Sequence, residues 1–141
     1  MSHEAIAALI HAYAHQLDAG DLEGTARLFE HATFRSEKAV HQGTAAVLAA
    51  LQRAVILHDG TPRTQHLISN LTIEVDEAAN TATARSYFTI LQATPTLPLQ
   101  PIIAGRHRDR FARLGAEWHF ADRHLFVDLV GDVSQHLRDG A

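Results

Sequence analysis

The hydrophobic period of this chain changes once, at Pro62, and its architecture follows from that change. Up to Pro62 the apolar residues recur at helical spacing; beyond it they alternate with polar residues almost to the end. The boundary, His58-Asp59-Gly60-Thr61-Pro62, is the strongest turn signal in the sequence. Helices followed by an antiparallel meander make an α+β fold. A long curved sheet wrapped against helices leaves a concave face, and concave faces bind ligands.

In the first half, Ile6, Leu9, Ile10, Tyr13 and Leu17 form an apolar stripe that predicts an amphipathic helix over residues 4–19, ended by Gly20. Asp21 is placed to cap a second short helix that turns Leu22, Ala26 and Phe29 inward. Residues 32–41 read as a short strand or an extended crossing. Thr44 caps a third helix running to about residue 57, with Val47, Leu48, Leu51 and Val55 on its buried side. The second half divides into strands over 63–75, 81–92, 102–114 and 117–130, with a tight turn at Gly115-Ala116. In the first of these, His66, Ile68, Asn70, Thr72 and Glu74 share one face, and Leu67, Leu71, Ile73 and Val75 the other. Residues 94–101 carry Pro95, Pro98 and Pro101 and read as a loop, since proline has no N–H for a central ladder.

The 141 residues fit one domain, 1–141, large enough to bury roughly 70% of its unfolded surface. With 46% hydrophobic and 20% charged residues the chain belongs with globular proteins, not disordered ones. There is no cysteine, which removes disulfides, thiolate zinc sites and a cysteine nucleophile. A net charge of −4 and the lack of a basic run argue against a nucleic-acid partner. No apolar stretch is long enough for a membrane span, and Met1-Ser2-His3-Glu4 does not open a signal peptide. A cytoplasmic location is expected.

Several residues stand out chemically. Asp18 falls in the last turn of the first helix, where the helix dipole disfavours a negative charge. It is either a solvated aspartate or a carboxylate held at a pocket mouth to orient a base. His66 sits among alternating apolar residues, as a satisfied half-buried side chain or as a general base whose tautomer a carboxylate would fix. Tyr13, five residues before Asp18, is either a core aromatic or a pocket residue, the two facing one pocket only near a fraying helix end. Along 105–113, Arg106, Arg108 and Arg110 share one face, a solvated or subunit-contacting stripe. His107, Asp109, Phe111 and Arg113 share the other. His107 and Asp109 beside Phe111 on a concave face would be costly without a partner or a role. In the last strand either Asp122, His124 and Asp128 or Arg123, Leu125 and Val127 must face inward. His11 and His15 have the helical spacing of two zinc ligands but lack an intervening glutamate and lie beside the apolar stripe, so no metal is expected.

Taken together, Tyr13-Ala14-His15-Gln16-Leu17-Asp18-Ala19-Gly20-Asp21, Gln65-His66-Leu67-Ile68-Ser69-Asn70, Gly105-Arg106-His107-Arg108-Asp109-Arg110-Phe111 and Trp118-His119-Phe120-Ala121-Asp122-Arg123 resemble the SnoaL-like branch of the nuclear-transport-factor-2-like superfamily. The resemblance covers nearly the whole chain. It implies a cone-shaped α+β barrel whose helices close one side of a strongly bent sheet around a deep, mostly apolar cavity. The branch includes scytalone dehydratase, the hexachlorocyclohexane dehydrochlorinase and bile-acid 7α-dehydratase. By that likeness His66 is the proton-abstracting base, Asp18 its orienting partner and Tyr13 an active-site tyrosine. Thr89 stands where the bile-acid enzyme carries a further strand aspartate. Asn70, His107, Asp109 and Phe111 are the candidate substrate-binding residues. The expected activity is that of a cofactor-independent lyase or isomerase acting on a small hydrophobic, cyclic molecule bound in the cavity. The alternatives are a non-catalytic small subunit of an aromatic-ring hydroxylating dioxygenase and a small-molecule-binding module. Relatives form dimers or trimers through the sheet, so a homo-oligomer is expected.

Overall fold

The protein, seen in a computed structural model, is described over residues 1–139. Its elements run α1 (Ser2–Asp18), α2 (Leu22–Arg27), β1 (Thr33–Arg35), β2 (Val40–Gln42), α3 (Gly43–Ala54), β3 (Thr64–Asp76), β4 (Thr81–Thr94), β5 (Leu97–Leu114) and β6 (Glu117–Val130). The strands make one curled sheet in the order β2-β1-β6-β5-β4-β3, antiparallel except where β1 lies parallel to β6. This is the α+β architecture that the change of period predicts.

Local chemistry explains the helix ends. Asp21 caps α2 by accepting from the Gly24 N–H at 2.8 Å. Thr44, expected to cap α3, lies inside its first turn instead. The N-cap is Gln42, in an extended conformation and without a side-chain cap bond. The helix stops at Ala54, short of residue 57, because Val55 turns extended and bridges antiparallel to Leu137. The segment expected over residues 32–41 is β1 and β2, which pair as a small hairpin that ends one residue later, at Gln42.

Slips in strand register decide which side chains face inward. On β3, Ser69 pairs with Tyr87 and Thr72 with Arg85, so Asn70 and Leu71 stand opposite Ser86 alone. Asn70 takes the left-handed conformation of the bulge, φ 52°, which asparagine tolerates better than most residues. Past the bulge, Leu71, Ile73 and Val75 continue the half-buried face that His66 and Ile68 began. The sequence grouping of Asn70 with His66 is therefore wrong, and Asn70 is exposed. On β6, Asp122 pairs with Arg110 but Phe120 with Phe111, leaving Ala121 extra. Trp118 and Phe120 point inward before the bulge; Arg123 does so after it, with Leu125 and Val127 following on the same side.

The proline segment is also corrected. Pro95 and Thr96 form the turn between β4 and β5, and Pro98 and Pro101 lie in β5 itself. Pro101 pairs with Leu91 beside a register slip, and the β5–β6 pairing begins only at Ile103. Proline is thus confined to a bulge and an open edge, where a missing N–H costs little.

Two buried clusters flank the centre of the sheet. One joins α1 and α2 to Phe111, Trp118 and Phe120; the other is built on Phe88, Ile90, Ile102 and Ile103. Gly20, with φ +81°, turns the chain from α1 toward α2, and a Cβ there would fall on the carbonyl oxygen of Gly60. Gly20→Ala is expected to lower stability by about 2 kcal/mol or more, read from the urea unfolding midpoint. A midpoint unchanged from wild type would show that this close approach does not constrain the turn.

Candidate active site

A cavity of about 550 Å³ lies between the two clusters, a size that suits a small organic ligand. Its walls are mostly apolar: Tyr13 and Leu17 from α1, Phe34 from β1, Leu51 from α3, Phe88 and Ile90 from β4, Ile103 from β5, Leu125 and Val127 from β6. The polar groups set into this surface are chiefly histidines, namely His66, His107, His41 and His136. Exposed Lys38, Arg53 and Asp139 stand at its rim.

His66 and Asp18 meet. The Asp18 Oδ1 lies 2.6 Å from His66 Nδ1 and accepts from the Thr64 hydroxyl at 2.8 Å, while Oδ2 accepts from the His66 backbone N–H at 2.7 Å. A carboxylate can only accept, so Nδ1 carries a proton, and in the neutral ring the lone pair is the one on Nε2. The His66 side chain is 4% exposed and that of Asp18 19%. Burial raises the Asp18 pKa, but the hydrogen bonds and charge of His66, with help from Thr64, outweigh it and hold the carboxyl below its ordinary value. Asp18 does not line the cavity. It stands behind His66, on a surface hollow shared with His11 and His15.

Tyr13 stands edge-on to both cavity histidines, with ring centroids 6.3 Å from His66 and 5.9 Å from His107. Burial pushes its phenol pKa up, so the hydroxyl is a neutral donor. His107 lies on β5 with Phe88 stacked on it at 4.5 Å. That stacking passes over Gly105, where a Cβ would strike the Phe88 ring. Burial, then the charge of Arg123, then that of His66 push the His107 pKa well below the ordinary imidazole range.

Arg123 is fully buried behind His107. Its Nε and Nη2 donate to Asp109 at 2.9 and 3.3 Å, Nη2 also reaches His107 Nδ1 at 3.0 Å, and the guanidinium lies 4.4 Å from the Tyr13 ring centroid. Burial raises the Asp109 pKa against the opposing charge and hydrogen bonds of Arg123. Asp109 thus finds the partner its concave position demanded, but it does not line the cavity. Phe111 does not either, since it packs in the helix-side cluster with Phe120 at 4.8 Å. Asn70 opens onto an outer groove with Arg85 and Arg106. Of the four expected substrate-binding residues, only His107 reaches the cavity.

Sequence reasoning missed His136, which is 4% exposed and reaches the cavity from the segment after β6. That segment is tied down by Ile56 N–H donating to the His136 carbonyl at 2.8 Å and by the Val55–Leu137 bridge. Nothing in its periodicity marks it. Alternation alone leaves two choices for the inward face of β6, and only the Ala121 bulge decides the direction of Arg123.

Burial, above all, lowers the His136 pKa to about 4. Folded His136 therefore binds a proton more weakly than the unfolded chain, and stability falls as pH drops from about 6.5 toward 4. Across that window this one group accounts for about 3 kcal/mol. Urea unfolding of His136→Phe is expected to show a pH slope shallower by about one proton, about 1.4 kcal/mol per pH unit. An unchanged slope would mean that His136 titrates normally in the folded protein.

Comparison with known proteins places this geometry in context. A family model described as a SnoaL-like domain matches residues 1–124. No curated protein matches the sequence. A protein of unknown function from Mycobacterium tuberculosis is 28% identical, over 92% of this chain and 73% of that one, with a TM-score of 0.75. A candidate scytalone dehydratase from Novosphingobium aromaticivorans is 23% identical, over 93% and 87%, with a TM-score of 0.74. The β subunit of a candidate aromatic-ring-hydroxylating dioxygenase from the same organism is 19% identical, over 92% and 91%, with a TM-score of 0.73. At these lower identities the likeness is one of fold.

Proposed function

The chain belongs to the SnoaL-like domain family, and on that premise we propose that it is a cofactor-independent lyase or isomerase acting on a small, apolar, cyclic carbonyl compound. The observation that carries this reading is the 2.6 Å contact between Asp18 and His66 at the wall of an apolar cavity. A general base near neutral pH needs an imidazole in a fixed tautomer with its free nitrogen turned toward substrate.

His66 Nε2 takes a proton from the carbon beside the substrate carbonyl. The C–H electrons form a carbon–carbon double bond, and the carbonyl electrons move onto oxygen. Asp18 stabilises the imidazolium, while the Tyr13 hydroxyl and His107 are donors for the oxyanion. In an elimination the electrons return to expel hydroxide from the β carbon, and the His66 proton converts it to water. In an isomerisation the proton goes back to a different carbon. Excluding water strengthens each of these interactions.

The fold is also that of an oxygenase β subunit, but a purely assembling subunit has no need of an Asp–His contact against an apolar cavity. The reaction can be tested without the natural substrate. Cyclic ketones and β-hydroxy ketones are incubated with the protein in deuterated water, and loss of the α-proton signal is followed by NMR. Wild type is expected to exchange or dehydrate at least one of them. His66→Gln should abolish this, and Asp18→Asn should slow it by on the order of 10²–10⁴-fold. Compounds that bind the cavity yet exchange no faster than in buffer would make the protein a binding module instead.

A further inference from the structure

Two buried histidines face the same cavity, and each has its far nitrogen held by a different kind of group. Behind His66 stands a carboxylate, which only accepts. Behind His107 stands a guanidinium, which only donates. We propose that Arg123, held by Asp109, is a positioning residue that fixes His107 with its proton on Nε2, so that the cavity meets a hydrogen-bond donor at His107 opposite the acceptor at His66. This deepens the proton-transfer reading of the site and rests on it.

His107 Nδ1, 3.0 Å from Arg123 Nη2, must offer the lone pair, because a guanidinium only donates. The proton of the neutral ring is then on the other nitrogen. A second proton would set N–H against N–H beside a full positive charge. Asp109 aligns the guanidinium through Nε and Nη2, and both partners of this pair have side chains that are 0% exposed. Phe88 covers one face of the His107 ring, with the planes 20° apart, and Tyr13 meets it edge-on at 80°. The ring plane is thereby set.

The polar and charged groups around His107 are Tyr13 from α1, His66 from β3, Ser86 from β4, Arg123 from β6 and Asp109 from its own strand. Of these only Arg123 bonds a ring nitrogen, and the Ser86 hydroxyl, opposite His107 on β4, makes no hydrogen bond among the described residues. A neutral donor and a neutral acceptor in one apolar cavity select an uncharged ligand. Its carbonyl or hydroxyl oxygen goes to His107 and its acidic C–H to His66.

The test is a long-range proton–nitrogen NMR spectrum of protein labelled with ¹⁵N-histidine, in which His107 is assigned by the signal missing from His107→Gln. The expected result is the Nε2–H pattern for His107, unchanged between about pH 8 and about pH 5, with the opposite, Nδ1–H pattern for His66 at about pH 8. The double variant Asp109→Leu, Arg123→Met removes both charges together, leaving neither unpaired in the core. In it His107 should become a mixture of tautomers and begin to titrate, while His66 keeps its pattern. A wild-type His107 that carries its proton on Nδ1, or that titrates like a free imidazole, overturns the proposal, whether or not the double variant folds. So does a folded double variant with the Nε2–H pattern intact. The spectrum reads no turnover. An intact pattern in a protein that exchanges no α-protons would overturn the proposed reaction and leave the tautomer assignment standing.

Discussion

The Asp18 carboxylate is the point at which the helical half of the chain is fastened to the sheet. It ends α1, where the helix dipole opposes it by about 0.3–1 kcal/mol. It receives three hydrogen bonds from β3 in return, from Thr64, from the His66 backbone and from the His66 ring. Hydrogen bonds to a charged group contribute about 1.5–3 kcal/mol each, so the local penalty is offset several times over. Because β3 is an edge strand of the sheet, the same contact fixes its depth against α1. Stability and the orientation of His66 thus rest on one side chain.

A second fastening crosses the middle of the sheet. Arg123 reaches from β6 to Asp109 and His107 on β5, and the Tyr13 ring of α1 lies against its guanidinium. A charge buried this deeply is tolerable only because a carboxylate accompanies it and the remaining contacts are aromatic or hydrogen-bonding. One donor, Nη1, still has no partner among the described residues. The arrangement is therefore not the most stable filling of this space. A well-packed apolar trio would serve stability as well or better. What an apolar trio could not do is determine where the proton sits on His107.

Most of the fold could be read in the sequence, since the change of period at Pro62 separates helices from strands and each strand carries its own alternation. Asp18 and His66 were also legible, the first because it offends the helix dipole and the second because it interrupts an apolar pattern, whereas Tyr13 belongs to the apolar stripe and was singled out by the family resemblance. Parity is what could not be read. One extra residue at Asn70 turns that side chain outward, and one at Ala121 turns Arg123 inward. A bulge reverses every assignment beyond it and leaves almost no mark on composition. Asp109 and Phe111 were correctly given an inward face, but periodicity does not distinguish the floor of a cavity from the core beneath it. His136 lies beyond the last strand, where no period operates.

Away from its rim, the cavity keeps formal charge one residue back from its surface. Asp18 and the Asp109–Arg123 pair stand behind the histidines that line it. An apolar ligand can therefore enter without stripping water from an ion, a step that would cost several kcal/mol per charge. In the proposed reaction, the charge that develops during proton transfer would nonetheless be met at short range. An imidazolium at His66 would lie against a carboxylate at hydrogen-bond distance, and at an effective dielectric of about 20 opposite charges about 4 Å apart attract by about 4 kcal/mol. That attraction exists only once the proton has moved. Histidine suits that proposed role because, in its neutral form, it carries the orienting influence of a buried charge to the cavity surface.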